Sequence, residues 1–386
     1  MKIPFLSFKQ MNAVIKPEVM AAFEHFFDSN WYILGDRVQQ FENEYAQFNH
    51  VAYCVGVSNG LDALHIALKT LGIGKGDEVL VPSNTYIATV LAISFVGATP
   101  VFVEPDISTY NIDPSKIEEK ISSKTKAILP VHLYGQCADM KAILQIAKKH
   151  NLYVIEDNAQ SQGSMCDGKL AGSFGDMNAT SFYPGKNLGA LGDAGAITTD
   201  NKQLAELSAT IRNYGSSRKY FNEVIGMNAR LDECQASILS VKLKYLPGWN
   251  EERVRIAGWY AEQLKSLDNV VLPALAAECT SVYHLYVIRS SQRNSLQQYL
   301  TENGIGTLIH YPVPPHLQKA YADLNYKRGD FPIAEKIADT CLSLPIFIGM
   351  SFEEVSYVCD TIKNFISIRP GICLRSVLSY HAISMN

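Results

Sequence analysis

VAYCVGVSNGLDALHIALKTLG, residues 51–72, sets a short apolar, β-rich run against a helical one across Ser58-Asn59-Gly60. The alternation continues through EVLVPS, YIATVLAISFVG, TPVFVE, a helical 114–122, AILPVHLY, MKAILQIAKKH and LYVIED. Short apolar strands separated by helices form βαβ units, whose parallel sheet is buried on both faces. The pattern predicts an α/β fold.

In such sheets ligands sit beyond the carboxyl ends of the strands. Those positions hold Ser58-Asn59-Gly60, Ser83 to Tyr86, His132 to Gly135, Asp157 to Gln160 and Ser181 to Lys186, all polar, aromatic or glycine-bearing. Ser58-Asn59-Gly60-Leu61 stands between strand and helix, where free N–H groups and the helix dipole favour an anion; the same residues also suit an ordinary N-cap. Asp157 and Lys186 lie 29 residues apart and reach one sheet edge. A carboxylate and a lysine so placed suit pyridoxal phosphate: the amine bonds the cofactor aldehyde, and the carboxylate keeps the pyridine nitrogen protonated. On spacing alone a surface ion pair explains them as well. Tyr86, ending PSNTY, is placed to stack on a planar ring or to fill core.

Pro247 and Gly248, in KYLPGWNEERVR, separate an amphipathic helix (RLDECQASILSVKLKYL) from the next. Strand YHLYVIR, helix LQQYLTENG, the proline-rich HYPVPPH and a last helical region to about residue 366 read as a smaller C-terminal α/β part. The expected division is a large domain 1–246, a small domain 247–368, and a tail 369–386 that follows Pro370-Gly371.

With 386 residues, 47% hydrophobic and 19% charged, the chain is an ordinary globular protein large enough for two domains. A net charge of −4 without Lys/Arg runs speaks against nucleic-acid partners. Eight cysteines without Cys-x-x-Cys spacing argue against a zinc site or a dense disulfide framework, and fit a reducing cytoplasm. Gly97 and Pro100 split the uncharged stretch 86–103 into helix and strand, so no membrane span is expected. MKIPFLSFKQMN lacks the apolar core of a signal peptide.

Eight colinear stretches carry a resemblance: WYILG (31–35), NGLDALHIAL (59–68), GDEVLVPSNTYIAT (76–89), PVHLYGQCADM (130–140), VIEDNAQSQG (154–163), SFYPGKNLGALGDAGAI (181–197), GMNARLDECQASIL (226–239) and IHYPVPPH (309–316). Over residues 3–366 they resemble the DegT/StrS family of nucleotide-sugar aminotransferases. The resemblance implies an aspartate aminotransferase-type fold (fold type I), with a large, mostly parallel seven-stranded sheet, one strand antiparallel, and a smaller C-terminal α/β domain. It implies pyridoxal 5'-phosphate bonded to Lys186, with Asp157 on the pyridine nitrogen, Gln160 on the ring hydroxyl and Tyr86 stacked on the ring. Ser181 and the amides of Gly60 and Leu61 match phosphate contacts, although many members have threonine where Leu61 stands. Asn228 matches a position that reaches the phosphate of a neighbouring subunit, which implies a homodimer with shared sites. Tyr183, Lys219, His310 and Tyr311 match positions that contact the sugar or its diphosphate. Arg230 reads as structural, pairing with Asp232 or a sheet carbonyl, and the role of His132 is open.

Members of this family aminate carbon 3 or carbon 4 of a keto sugar. SFYPGKNLGALGD, WYILG and HYPVP resemble the carbon-3 group, which acts on dTDP-3-keto-6-deoxyhexoses with L-glutamate as amino donor; galacto and gluco products both stay open. A carbon-4 enzyme, which often has a histidine near the position of Tyr183, is the second reading. A sugar dehydratase would replace Lys186 by histidine, and a non-catalytic protein on this fold would have lost Asp157 or Lys186. A nicotinamide oxidoreductase would want Gly-x-Gly-x-x-Gly after the first strand, which VGVSNGLDAL lacks.

Overall fold

The computed structural model describes residues 1–368, so the expected tail at 369–386 lies outside the described residues. Two helices, α1 (Lys9–Asp28) and α2 (Asp36–Phe48), precede β1 (Tyr53–Val57) and α3 (Gly60–Thr70). Then follow β2 (Glu78–Pro82), α4 (Ile87–Phe95), β3 (Thr99–Val103), β4 (Thr125–Ile128), α5 (Met140–His150) and β5 (Tyr153–Asp157). A hairpin of β6 (Met165–Cys166) and β7 (Lys169–Leu170) leads to β8 (Met177–Ser181), β9 (Gly195–Thr199) and α6 (Lys202–Ile211).

The large sheet runs β1-β9-β8-β5-β4-β2-β3. β9 is antiparallel to both neighbours and every other pairing is parallel, as the family resemblance implies. Its strands are almost wholly buried because helices cover both faces, which is why they read as unbroken apolar runs. One expected helix is absent: 114–122 forms only two 3-10 turns, Pro114–Lys116 and Glu118–Lys120. Asp113 accepts from Ser115 N–H at 2.9 Å to start the first, and Ile121 returns to extended backbone before an α-helical ladder can form.

The chain continues through a hairpin, β10 (Ser216–Arg218) and β11 (Phe221–Asn222), then α7 (Glu233–Leu243) and α8 (Leu246–Leu264), which break at the predicted place. β12 (Tyr286–Arg289), α9 (Arg293–Glu302), α10 (Pro332–Thr340), β13 (Cys341–Leu344) and α11 (Phe352–Ile368) complete it. β12 and β13 pair antiparallel, and α8, α9 and α11 share a core with them in which the rings of Tyr260 and Tyr286 stack at 4.9 Å. Ile3 joins that second core, and α8 spans both: Leu246 packs with the large-sheet side, while Ile256, Tyr260 and Leu264 pack with the small.

α7 departs from its amphipathic reading. It is buried along most of its length and packs against α1 and α2. Its Glu233 carboxylate accepts from the N–H groups of Gly35 (2.6 Å), Arg37 (3.0 Å) and Val38 (3.0 Å). α2 starts at a glycine with no side chain to cap it, and an anion at its positive end satisfies those orphan donors.

Cys166 and Cys279 form a disulfide, while Cys54, Cys137, Cys234, Cys341 and Cys359 are free. Their sequence separation of 113 leaves no local spacing to read; an antiparallel bridge between the two residues brings them together. Among the described residues no helix is long and apolar enough to cross a membrane.

Candidate active site

A cleft of about 740 Å³ opens at the carboxyl ends of the central strands. Asp157 and Ser181 end the neighbouring strands β5 and β8 and both line it. The first turn of α4 points one hydroxyl at Asp157: Thr89 donates to Asp157 Oδ2 at 2.8 Å and is itself bonded by Thr85, just before the helix, at 2.9 Å. Ala159 N–H donates to Oδ1 at 3.1 Å. Burial pushes the Asp157 carboxyl up from its ordinary value, opposed by these bonds and by the charge of Lys186.

The lysine loop is fixed by alternation. Phe182 is buried between Phe41 and Tyr45, edge-on to both at 5.4 and 5.1 Å, so Tyr183 turns outward into the cleft. Lys186 N–H closes a turn onto the Tyr183 carbonyl at 2.8 Å, and Ala190 N–H returns to the Phe182 carbonyl at 2.8 Å. Gly189 must be glycine, since a Cβ would lie 2.3 Å from the Pro184 carbonyl. From behind, α7 grips the loop at two points two turns apart on one face: Gln235 accepts from Leu191 N–H at 2.9 Å, and Lys242 Nζ donates to the Gly189 carbonyl. Asn187 completes the hold through Asn250 (2.9 Å) and the Val282 carbonyl (3.0 Å). Burial in the cleft wall pulls the Lys186 amine down to about 8, against the attraction of Asp157.

Lys242 is 1% exposed and burial holds its amine at about 8, below the roughly 10.4 of an unfolded lysine. Between those values the unfolded chain binds more protons, so this group's contribution to stability rises with pH across that window. Its bond to Gly189 survives, because a neutral amine still donates. Unfolding titrations of wild type and Lys242→Met should therefore diverge in favour of wild type from about pH 8 to about pH 10; parallel curves would refute the assignment.

An anion cradle faces Lys186 from α3. Asn59 caps the helix by accepting from Asp62 N–H at 2.9 Å, and Asp62 is itself held by Ser58 and Asn59 side chains. The N–H groups of Gly60 and Leu61 precede the first intrahelical bond and are free for a ligand. A Cβ on Gly60 would stand 2.6 Å from the Ser181 Cβ, so only glycine lets the helix end and the Ser181 hydroxyl converge. A helix terminus bare of side chain beside a serine, with a carboxylate and a lysine of lowered basicity across the cleft, fits pyridoxal phosphate in both charge and donor type.

On the opposite side Gln160 accepts from Tyr134 N–H at 2.7 Å and donates to the Tyr311 hydroxyl at 3.2 Å. The rings of Tyr311 and Tyr86 meet at 5.1 Å. His310 bonds Ser343 at 2.8 Å through Nδ1, and burial with the nearby Lys186 charge drops it to about 4, so it is neutral at pH 7. His132, open from sequence, lies beneath the cleft with 0% exposure: Ala138 N–H donates to Nδ1 at 3.0 Å, which leaves Nε2–H to donate to Glu156 at 2.6 Å. Glu156 also accepts from Gly172, Phe174 and Gly175, so this pair ties loops together under the site.

Lysine, aspartate, glutamine, serine, both glycine-end amides, Tyr86, Tyr183, His310 and Tyr311 thus converge on one cleft. Lys219 and Asn228 do not line it: both are exposed, Lys219 in the turn of the β10–β11 hairpin over the Tyr220 ring and Asn228 beside Asn213. Arg230 pairs with neither Asp232 nor a carbonyl; it donates to Asn213 Oδ1 at 3.2 Å and lies over Tyr214, because its strand-like pairing with Val57 turns it that way. Sequence reading missed Thr89, one helical turn beyond Tyr86, and also Arg253 and His284, which reach the cleft from the second half of the chain.

Residues 13–363 match the DegT/DnrJ/EryC1/StrS aminotransferase family. The dTDP-3-amino-3,6-dideoxy-alpha-D-galactopyranose transaminase of Aneurinibacillus thermoaerophilus is 53% identical, covering 94% of this chain and 99% of that protein. The DesV protein of S. venezuelae, solved with a ketimine intermediate, superposes with a TM-score of 0.93 at 44% identity over 94% of this chain and 98% of that one. NtdA of Bacillus subtilis, solved with bound cofactor PMP, gives 0.88 at 34% identity over 95% and 85%. Fold, cleft and likeness agree over nearly the whole described chain, and the protein belongs to the DegT/DnrJ/EryC1/StrS aminotransferase family, whose cofactor is pyridoxal phosphate.

Proposed function

We propose that the protein transfers an amino group from L-glutamate to carbon 3 of a dTDP-linked 3-keto-6-deoxyhexose, giving the galacto 3-amino sugar and 2-oxoglutarate. The observation that carries the chemistry is Lys186, held below its ordinary basicity opposite Asp157 and the α3 cradle. Regiochemistry and configuration rest on the relative from A. thermoaerophilus. The lysine loop supports the regiochemistry alone, since it turns Tyr183 into the cleft and itself carries no histidine.

When bound, pyridoxal phosphate supplies an aldehyde that takes up the amino group and a ring that draws electrons from the adjacent carbon. Gly60, Leu61 and Ser181 hold its phosphate, Asp157 holds its ring nitrogen protonated, and Thr89 and Ala159 keep that carboxylate ionised and aimed. Gln160 has an amide hydrogen left over from Tyr311 for the ring hydroxyl, and Tyr86 covers the ring face. Lys186 Nζ, once displaced by the donor, takes the proton from the donor's α-carbon; its value near 8 makes it a base at neutral pH. Tyr183, His310 and Tyr311 contact the sugar. Residues 247–368 close the cleft over a cofactor held by residues 1–246. Asn228 and Lys219, turned away from their own cleft, serve the site of a second copy in a cytoplasmic homodimer.

The test loads the enzyme with pyridoxal phosphate, aminates it with L-glutamate, and adds the 3-keto or the 4-keto dTDP sugar while the visible absorption of lysine-bound cofactor is followed. Recovery with the 3-keto sugar alone, and an amino sugar of galacto configuration by NMR, is expected. Recovery with the 4-keto sugar alone would overturn the regiochemistry.

A further inference from the structure

The cleft contains one cation that nothing in it balances. Arg253 rises from α8, is 5% exposed and lines the cleft beside His284. One arm of its guanidinium donates to the carbonyls of Tyr283 (3.2 Å), His284 (3.4 Å) and Ile346 (3.4 Å). Among the described residues no carboxylate pairs with it. Its neighbour Glu252 is turned to Gly349 N–H and Arg255. Among the described residues the acids lining the cleft are Asp157, engaged as described, and the exposed Asp193.

A buried guanidinium fixed through one arm by carbonyls, with the rest of its fork unpaired, is built to receive an oxyanion. Location selects which one. His284 feels the charges of both Lys186 and Arg253, so the three groups share one corner. The cofactor phosphate has its own cradle at Gly60 and Ser181. The diphosphate of a nucleotide sugar is several bonds from the reacting ring carbon, whereas the α-carboxylate of an amino acid is two bonds from the reacting nitrogen and must settle beside Lys186. We propose that Arg253 binds the α-carboxylate of the amino donor, which restricts the first half-reaction to α-amino acids; this rests on the aminotransferase reading above.

The experiment measures the two half-reactions separately on holoenzyme, by the visible spectrum: L-glutamate as one arm, dTDP-3-amino-3,6-dideoxygalactose as the other, with melting temperature as the fold control. Arg253→Gln should raise the apparent Kd for L-glutamate by about 10- to 100-fold, the worth of a charge-assisted pair, and leave that for the amino sugar within about threefold. Arg253→Lys should recover part of the loss, since charge stays while the fork is gone. If Arg253→Gln does not fold, Arg253→Lys decides alone: a rise of about fivefold or more confined to L-glutamate upholds the proposal. Loss confined to the amino-sugar arm would mean the diphosphate is bound instead, and equal loss in both arms would mean a packing role; either overturns it. A wild-type enzyme that responds to the amino sugar but not to L-glutamate removes the donor assignment and this inference with it, whereas unaffected variants remove the inference only.

Discussion

Substituting Lys186 with alanine is expected to lower turnover by about 10⁴-fold or more, because it removes both the proposed covalent anchor and the proposed base. The fold should survive. The loop keeps its Phe182 anchor, its return bond from Ala190 and its grip from Gln235 and Lys242. The lost amine was itself held below its ordinary basicity by burial, so its removal relieves that cost while withdrawing its attraction for Asp157, and the two offset. Stopped-flow turnover together with the visible spectrum checks this: no lysine-bound band and a melting temperature within a few degrees of wild type are expected. Turnover within tenfold of wild type would show that the proton moves elsewhere.

Asp157→Asn should cost at least about 100-fold in turnover, in line with deleting one preorganised electrostatic group from an active site. Thr89 and Ala159 both donate to this side chain, so an asparagine must turn its NH₂ toward one of two donors while losing the charge that keeps the ring nitrogen protonated. The substitution is nearly isosteric, and it relieves a buried carboxylate whose pKa is pushed up by burial, so stability should change little. Cofactor affinity and the rate of the L-glutamate half-reaction are the measurements, and a rate within threefold of wild type would remove Asp157 from its role.

Much of this site could be read from the chain because a parallel sheet delivers its strand ends to one edge. Asp157 and Ser181 needed only the correct end of an apolar run, and Gly60 only the strand-to-helix junction. Arg253 and His284 carried no comparable mark: each is an ordinary residue of a helix or loop until the second half folds back on the cleft. Thr89 could have been found from its one-turn spacing to Tyr86. Glu233, capping a helix nearly two hundred residues earlier, could not, since nothing local distinguishes it from a surface charge. The helix expected at 114–122 failed for a local reason, two short turns flanked by extended backbone.

The lysine loop presents Tyr183, 58% exposed, from a backbone clamped entirely by atoms behind it. The side chain proposed to meet the sugar is thus uncoupled from the bonds that place Lys186. Lineages built on this frame can trade one substrate for another by drift at a single exposed position, without first passing through a disabled enzyme.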